Sequence, residues 1–369
     1  VSRTREDVYY RDRQNKGYHM RILIANDGLH AHYYQRMAWG NALQNCGVPT
    51  AFWDCKVVSA FDVFDSFEPT VFLGQSYNLT PDLIKCIQER PHLKVGLRAG
   101  DWGDHAKLVD HKKYNILYSS PAERQLLQRL KDETGKPDFV HIHYDEEAIK
   151  QTHNHFESIG IRAISLMMCA DTVVYDNATA DPALECDIGF VGGYWPYKGQ
   201  IINDYLFPLL HPIDGYKVKI FGNQPWPVNQ YCGVIGDDKV KDLFVSAKIC
   251  PNLSEPHAQE FGFDVNERIF KILYAGGFCI SDNVESYKMF GDGLVIADSP
   301  QDFRDKINYY LVNPEERAEI ATRGHNYVRQ HHTGFHRVAQ ILRALDIEDL
   351  ADRILGELDK YEESLNVTN

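Results

Sequence analysis

The chain lacks any long apolar run. Stretches such as Ile22–Ala25 and 70–73 are strand-sized, and none approaches the ~18–20 residues that cross a bilayer. It also lacks a C-x-x-C pair. Eight cysteines are scattered singly, several inside apolar runs such as Ile249-Cys250 and Phe278-Cys279-Ile280, which suits small buried hydrophobes in a reducing compartment. No leader-like segment precedes the four N-x-S/T sequons at Asn78, Asn177, Asn252 and Asn366. They read as chance, and the expected location is the cytoplasm. There is no convincing D-x-D at a strand end and no His/Cys/Asp cluster at metal spacing, so no metal and no cofactor are expected. Positive charge is in deficit. With 39 basic against 52 acidic side chains the net charge is −13, which argues against an overall field that holds nucleic acid or an anionic membrane. No short-period repeat is found.

A βα rhythm is present instead. Residues 20–25 read as a buried strand, followed by a polar turn and a helix from 33 to about 46. The pattern recurs with strands at 70–73, 93–97 and 116–118 and helices at 81–90, 121–131 and 145–159. After a stretch from 175 to 186 it restarts. Strands are predicted at 187–191, 217–221, 248–251 and 278–281, with helices from about 200, at 238–247, 266–275, 300–312 and 314–331. Apolar residues at 338, 341, 345, 347, 350, 354 and 358 mark an amphipathic tail that must dock its stripe. Alternating elements joined by short loops indicate α/β architecture with parallel sheets. The expected layout is a polar extension over 1–19, an N-terminal Rossmann-like domain over 20–180, a C-terminal one over 187–334, and a helical tail over 335–369. Two such domains would face a cleft, where ligands sit at the carboxyl ends of strands.

Two segments carry chemistry. In Phe190-Val-Gly192-Gly193-Tyr-Trp-Pro-Tyr-Lys198-Gly199 a strand enters paired glycines and then a lysine. Glycines let the backbone approach a phosphate, a helix start offers N–H donors, and the lysine adds charge. In Asn266-Glu267-Arg268-Ile-Phe270-Lys271, ahead of Gly276-Gly277 and Ser281-Asp282-Asn283, the polar residues open a predicted helix. A guanidinium there can fork onto a diphosphate, and a carboxylate can accept from ribose hydroxyls.

Together these segments resemble the donor half of the two-Rossmann-domain (GT-B) glycosyltransferases. The resemblance runs to the CgeB-like spore-maturation family and, more distantly, to the large retaining nucleotide-sugar family. It rests on Gly192 with Lys198-Gly199, on Arg268-x-Phe270 ahead of Gly276, and on Pro314-Glu-Glu-Arg and Gly324…His331-His-Thr…Arg337, over about 187 to 342. It implies a GT-B fold whose last helix crosses back to the N-terminal domain. It also implies a hexosyl- or pentosyltransferase, in which helix N-termini and basic side chains hold the phosphates without an obligatory metal. The implied donor contacts are Gly192, Gly193, Lys198, Asn266, Glu267, Arg268, Lys271, Asp282 and Asn283. Two positions depart from the pattern. Gly193 stands where an arginine is frequent, and Lys271 stands where a glutamate touching the nucleotide ribose is usual, with Glu267 or Glu260 as replacements.

An inverting enzyme needs a base for the acceptor hydroxyl. The candidates follow the first and third predicted strands: His30 and His32, beside Asp27, and Asp101, beside Asp104 and His105. A retaining enzyme would need none of them. His141 and His143 share one strand face and are assigned to packing. Trp102, Trp195, Trp226, Tyr194 and Tyr197 fall in loops where a sugar or base could stack. The expected partners are a nucleotide sugar and a carbohydrate or glycoconjugate acceptor, with nucleic acid disfavoured. The alternatives are a nucleotide-sugar epimerase or hydrolase of the same fold, and an inactive sugar-binding protein.

Overall fold

The computed structural model describes residues 20–26, 31–100, 103, 121–195, 198–211 and 215–368. The chain divides into two compact units. Of the described residues, the first takes those up to Met167 and those from Gly334 onward, and the second takes Met168–Thr333.

In the first unit β1 (Ile22–Ala25), β2 (Thr50–Trp53), β3 (Val71–Gln75), β4 (Lys94–Arg98), β5 (Phe139–Ile142) and β6 (Ala163–Ser165) form one parallel sheet in the order β2-β1-β3-β4-β5-β6. Strands β1, β3 and β5 are buried throughout, as strands covered on both faces should be. The Thr80-Pro81 pair starts its helix as the sequence suggests, with Thr80 Oγ1 accepting from the Leu83 N–H. The predicted strand at 116–118 lies outside the described residues.

Two strands of this sheet went unpredicted. Strand β2 is an edge of four residues with alternating burial, and β6 has only three. The strand read at His141 and His143 is β5, which starts at Phe139 and ends at Ile142. The helix expected over 145–159 is two helices, Glu146–Thr152 and His155–Ser158. The break falls at His153, whose buried imidazole packs on Tyr144 at 5.7 Å and Phe156 at 6.2 Å.

The chain end completes this unit. The helix Gly334–Ala344 packs on Ala31–Asn45, and Glu348–Thr368 packs on Gly334–Ala344. A Cβ on Gly334 would stand 2.4 Å from the Ala38 carbonyl oxygen, so only glycine permits this approach. Arg337 Nε donates to the Met167 carbonyl at 2.8 Å, and Gln35 Nε2 donates to those of Leu166 and Met167 at 3.0 and 3.1 Å. These donors hold the backbone as it leaves β6.

The second unit holds β7 (Cys186–Val191), β8 (Val218–Phe221), β9 (Ala247–Asn252), β10 (Cys279–Asp282) and β11 (Val295–Ala297), all parallel, in the order β11-β10-β9-β7-β8. Entry and exit run side by side, with Ala170 bridging Thr333 and its N–H donating to the His332 carbonyl. The helix expected from about 200 is wound unevenly: α over Gly199–Ile201, π over Ile202–Leu206 and 3-10 over Phe207–Leu210, where Pro208 sits.

Candidate functional site

The carboxyl ends of β7, β9 and β10 carry a polar network in the second unit. Helix Glu267–Ala275 opens there. Its cap is Asn266, whose Oδ1 accepts from the Arg268 N–H at 3.1 Å, and it stops at Gly276 with φ of 87°. Arg268 then reaches back across the strand ends. Its Nε donates to the Val191 carbonyl at 2.8 Å and its Nη1 to Asn252 Oδ1 at 3.2 Å. The guanidinium lies over the Phe190 ring, 4.8 Å from its centroid. A Cβ on Gly192 would stand 2.9 Å from Nη2, so the first glycine is what admits the arginine. Burial lowers the Arg268 pKa, yet an arginine in a protein stays charged. The result is a fixed cation at the turn after β7.

Lys198 lies beside it. Its Nζ pairs with Glu255 Oε1 at 3.0 Å. Burial pushes the ammonium below the ordinary lysine value, Glu255 acts the other way, and Arg268 adds to the lowering. Glu255 also faces the buried His257, whose Nδ1 is 3.7 Å from Glu255 Oε2 and whose Nε2 is 3.0 Å from Asp264 Oδ2. The sequence reading missed Glu255, His257 and Asp264. The only available signal was their position between a strand end and the Asn266 cap.

Asp282 is wholly buried and accepts from the Ser254 N–H at 2.9 Å, Ser254 Oγ at 3.0 Å and Gln259 Nε2 at 2.8 Å. Burial raises its pKa and these hydrogen bonds oppose the rise. Tyr287 Oη, 2.6 Å from Ser254 Oγ, and the Asn252–Ser281 bond at 2.8 Å close the network. Asp282 therefore braces the β9 and β10 ends from inside. Asn283 is exposed and donates to Asp298. Lys271 is turned along its own helix onto Glu267 Oε1 at 2.8 Å.

The glycine turn is shaped by close backbone packing. A Cβ on Gly222 would fall 2.2 Å from the Gly192 carbonyl oxygen, which also accepts from Trp226 Nε1 at 2.8 Å. Trp226 is buried and forms a wall, which removes it from the stacking candidates. Trp195 is exposed, and its Nε1 would meet a Cβ on Gly193. Trp102 and Tyr197 lie outside the described residues.

In the first unit the base candidates His30 and Asp101 lie outside the described residues. His32 sits in the first turn of Ala31–Asn45, with Nδ1 3.4 Å from Gln35 Oε1 and its ring 5.1 Å from that of His143. His141 is buried against Trp39, with ring centroids 5.4 Å apart, and lies opposite Arg98 in the β4–β5 register. Burial first, then Arg98, His143 and Arg36, holds His32 well below the usual histidine range. The same groups act on His141. Arg36 Nε donates to Asn26 Oδ1 at 3.0 Å at the end of β1. His143, Arg36 and Arg98 were not in the sequence list of site residues. Among the described residues no group of three or more His, Cys, Asp and Glu side chains could hold a metal ion. None of the described helices is long and apolar enough to cross a membrane.

Residues 207–343 match the family model described as glycosyl transferase-like. No curated protein matches the chain. The structure of T4 phage β-glucosyltransferase with UDP and Mn2+ is similar, with a TM-score of 0.55 at 12% identity over 89% of this chain and 100% of that one. The structure of Anabaena HepE with UDP gives 0.55 at 11% identity over 89% and 100%. An α-glucosyltransferase with UDP and a 13-mer DNA gives 0.58 at 11% identity over 89% and 99%. The fold is that of the GT-B glycosyltransferases.

Proposed function

We propose that this GT-B-fold chain, with its glycosyl transferase-like domain, moves a sugar from a nucleoside diphosphate sugar to an acceptor hydroxyl. The observation that carries the reading is Arg268, locked across the ends of β7 and β9 against the Gly192 turn with Lys198 beside it. A departing nucleoside diphosphate needs its charge met in the transition state, and preorganised cations meet it without reorganisation. Lys198 is paired with Glu255, so the phosphate competes with that carboxylate for the ammonium. The solved structures that hold UDP support a diphosphate donor.

In the first unit His32 is held neutral, the form a general base requires. Under this reading it takes the acceptor proton if the reaction inverts configuration. The acceptor is a carbohydrate or glycoconjugate. The DNA in one similar structure makes a nucleic-acid arm part of the test. Thermal shift against nucleoside diphosphates and their sugar esters should raise the melting temperature with the diphosphate-bearing ligands only, because binding to the native state stabilises it. No response to any of them would end the reading.

Turnover, once an acceptor is found, should survive a chelator, since two side-chain cations meet the diphosphate. Loss with EDTA and rescue by Mn2+ would assign that charge to a metal instead.

A further inference from the structure

A buried histidine beside the diphosphate anchor sits between two carboxylates. His257 Nε2 is 3.0 Å from Asp264 Oδ2, and its Nδ1 is 3.7 Å from Glu255 Oε2. The other oxygen of Glu255 holds the Lys198 ammonium at 3.0 Å. Glu255 thus has a lysine on one oxygen and an imidazole facing the other. Both neighbours are largely out of water, with side-chain exposures of 16% and 4%. A carboxylate in such surroundings is costly to strip of its cation.

Two carboxylates, Glu255 and Asp264, face one ammonium and one imidazole. Arg268 is engaged with the Val191 carbonyl and Asn252, and it acts on Lys198 as a like charge. Glu260, on the same short helix as His257, is exposed. The Phe261 ring lies 6.2 Å from the imidazole, between centroids, and adds no charge. A diphosphate that takes Lys198 deprives Glu255 of its cation and brings further negative charge beside it. Nearby negative charge favours a protonated imidazole. A neutral imidazole has one N–H, and the Asp264 carboxylate, an acceptor, takes it at Nε2. A proton added at Nδ1 then points at Glu255. The 3.7 Å gap is too long for a hydrogen bond, and Glu255, once released from Lys198, can close it.

We propose that His257 takes up a proton at Nδ1 when the donor diphosphate binds, and then holds Glu255 away from the phosphate. Glu255 exchanges an ammonium for an imidazolium. The proton comes from solvent, and the only new covalent bond is the N–H. His257 is therefore a positioning residue of the donor site, and donor affinity is tied to pH. The assignment rests on the donor reading above. Because a proton is gained on binding, affinity rises as pH falls through the window in which the imidazole is neutral in the free chain and protonated in the bound one.

The full chain is titrated calorimetrically with the ADP, CDP, GDP, TDP and UDP esters of glucose, whose doubly esterified diphosphate loses no proton near neutral pH. Titrations in buffers of different ionisation enthalpy count the protons taken up. Up to about one proton per ester bound is expected, with affinity falling by up to about tenfold per pH unit as pH rises. His257→Gln should abolish the uptake and flatten that slope. Glu255→Gln should do the same while tightening binding, because the competitor for Lys198 is gone. Arg268→Ala should weaken binding and keep the uptake. A wild-type chain that binds an ester with no proton uptake anywhere from about pH 6 to 9, the range of histidine titration, overturns this assignment alone. So does a natively melting His257→Gln or Glu255→Gln chain with unchanged uptake. Failure to bind any of the esters overturns the donor reading and this assignment together.

Discussion

The two units use the carboxyl ends of their parallel strands in opposite ways. In the second unit the cationic side chains are given partners, Arg268 on the Val191 carbonyl and Asn252, Lys198 on Glu255. In the first, His32 and His141 are driven toward neutrality by burial and by the guanidiniums of Arg98 and Arg36. One unit thus offers fixed positive charge and the other offers uncharged imidazole. Phosphate binding needs the first and proton abstraction needs the second. The units also differ in how the chain builds them. Among the described residues the second is one continuous stretch, Met168–Thr333, whereas the first also takes the chain end from Gly334.

That contrast gives the largest expected effect. Truncation after Thr333 removes Phe335, Val338, Ile341, Leu342, Leu345, Ile354 and Leu358, all buried. At roughly 1.5–3 kcal/mol for each large side chain, the loss rivals or exceeds the roughly 5–15 kcal/mol that holds a whole domain together. The first unit should unfold and the second should not. Calorimetry should show one transition lost, while nucleotide still raises the melting temperature of the other. Two intact transitions after truncation would show that the tail is not part of the first unit's fold.

Arg268→Ala sharpens the other half of the comparison. It should weaken diphosphate binding by roughly 1.5–3 kcal/mol, the scale of a hydrogen bond to a charged group. Some loss of stability should accompany it, because Val191 and Asn252 lose a buried donor. Lys198→Ala should cost less, since Glu255 competes with the phosphate for that ammonium. Isothermal titration of both variants checks the order, and a larger loss at Lys198 would reverse the assignment of the main anchor.

How far the sequence could be read follows the same division. The second unit's polar network at the strand ends centres on two short segments around Gly192 and Arg268, which local spacing alone singles out. Partners that arrive from other strands left no local trace. Ser254 reaches Asp282 across 28 residues and Tyr287 reaches Ser254 across 33, and neither has a spacing that betrays it. Asp282 itself was read as a ligand contact, because a sequence does not show that its carboxylate is saturated by Ser254 and Gln259. In the first unit the βα rhythm was legible where strands carry an unbroken apolar run, as at β1 and β3. It failed at β2 and β6, which are too short for a period to show. His32 was a candidate from its loop position alone. Its lowered pKa comes first from burial and then from Arg98 and His143, which only the β4 and β5 strand ends bring close.

The smallest effect tests that neutrality directly. A histidine whose folded pKa lies below its unfolded value binds fewer protons in the native state than in the unfolded one. Stability then rises with pH across the window between the two values and levels off above the unfolded pKa. For His32 and His141 the upper edge of that window is the ordinary histidine value of 6.5. Acidification below it should therefore destabilise the first unit, by at most about 1.4 kcal/mol per pH unit for each imidazole. Replacing both residues, with His32→Gln and His141→Leu, should flatten the first transition's slope between neutral pH and about pH 5, whatever it does to the absolute melting temperature. Equal slopes in the parent and the double variant would mean that these imidazoles are not held neutral, and the contrast between the two strand ends would fall with them.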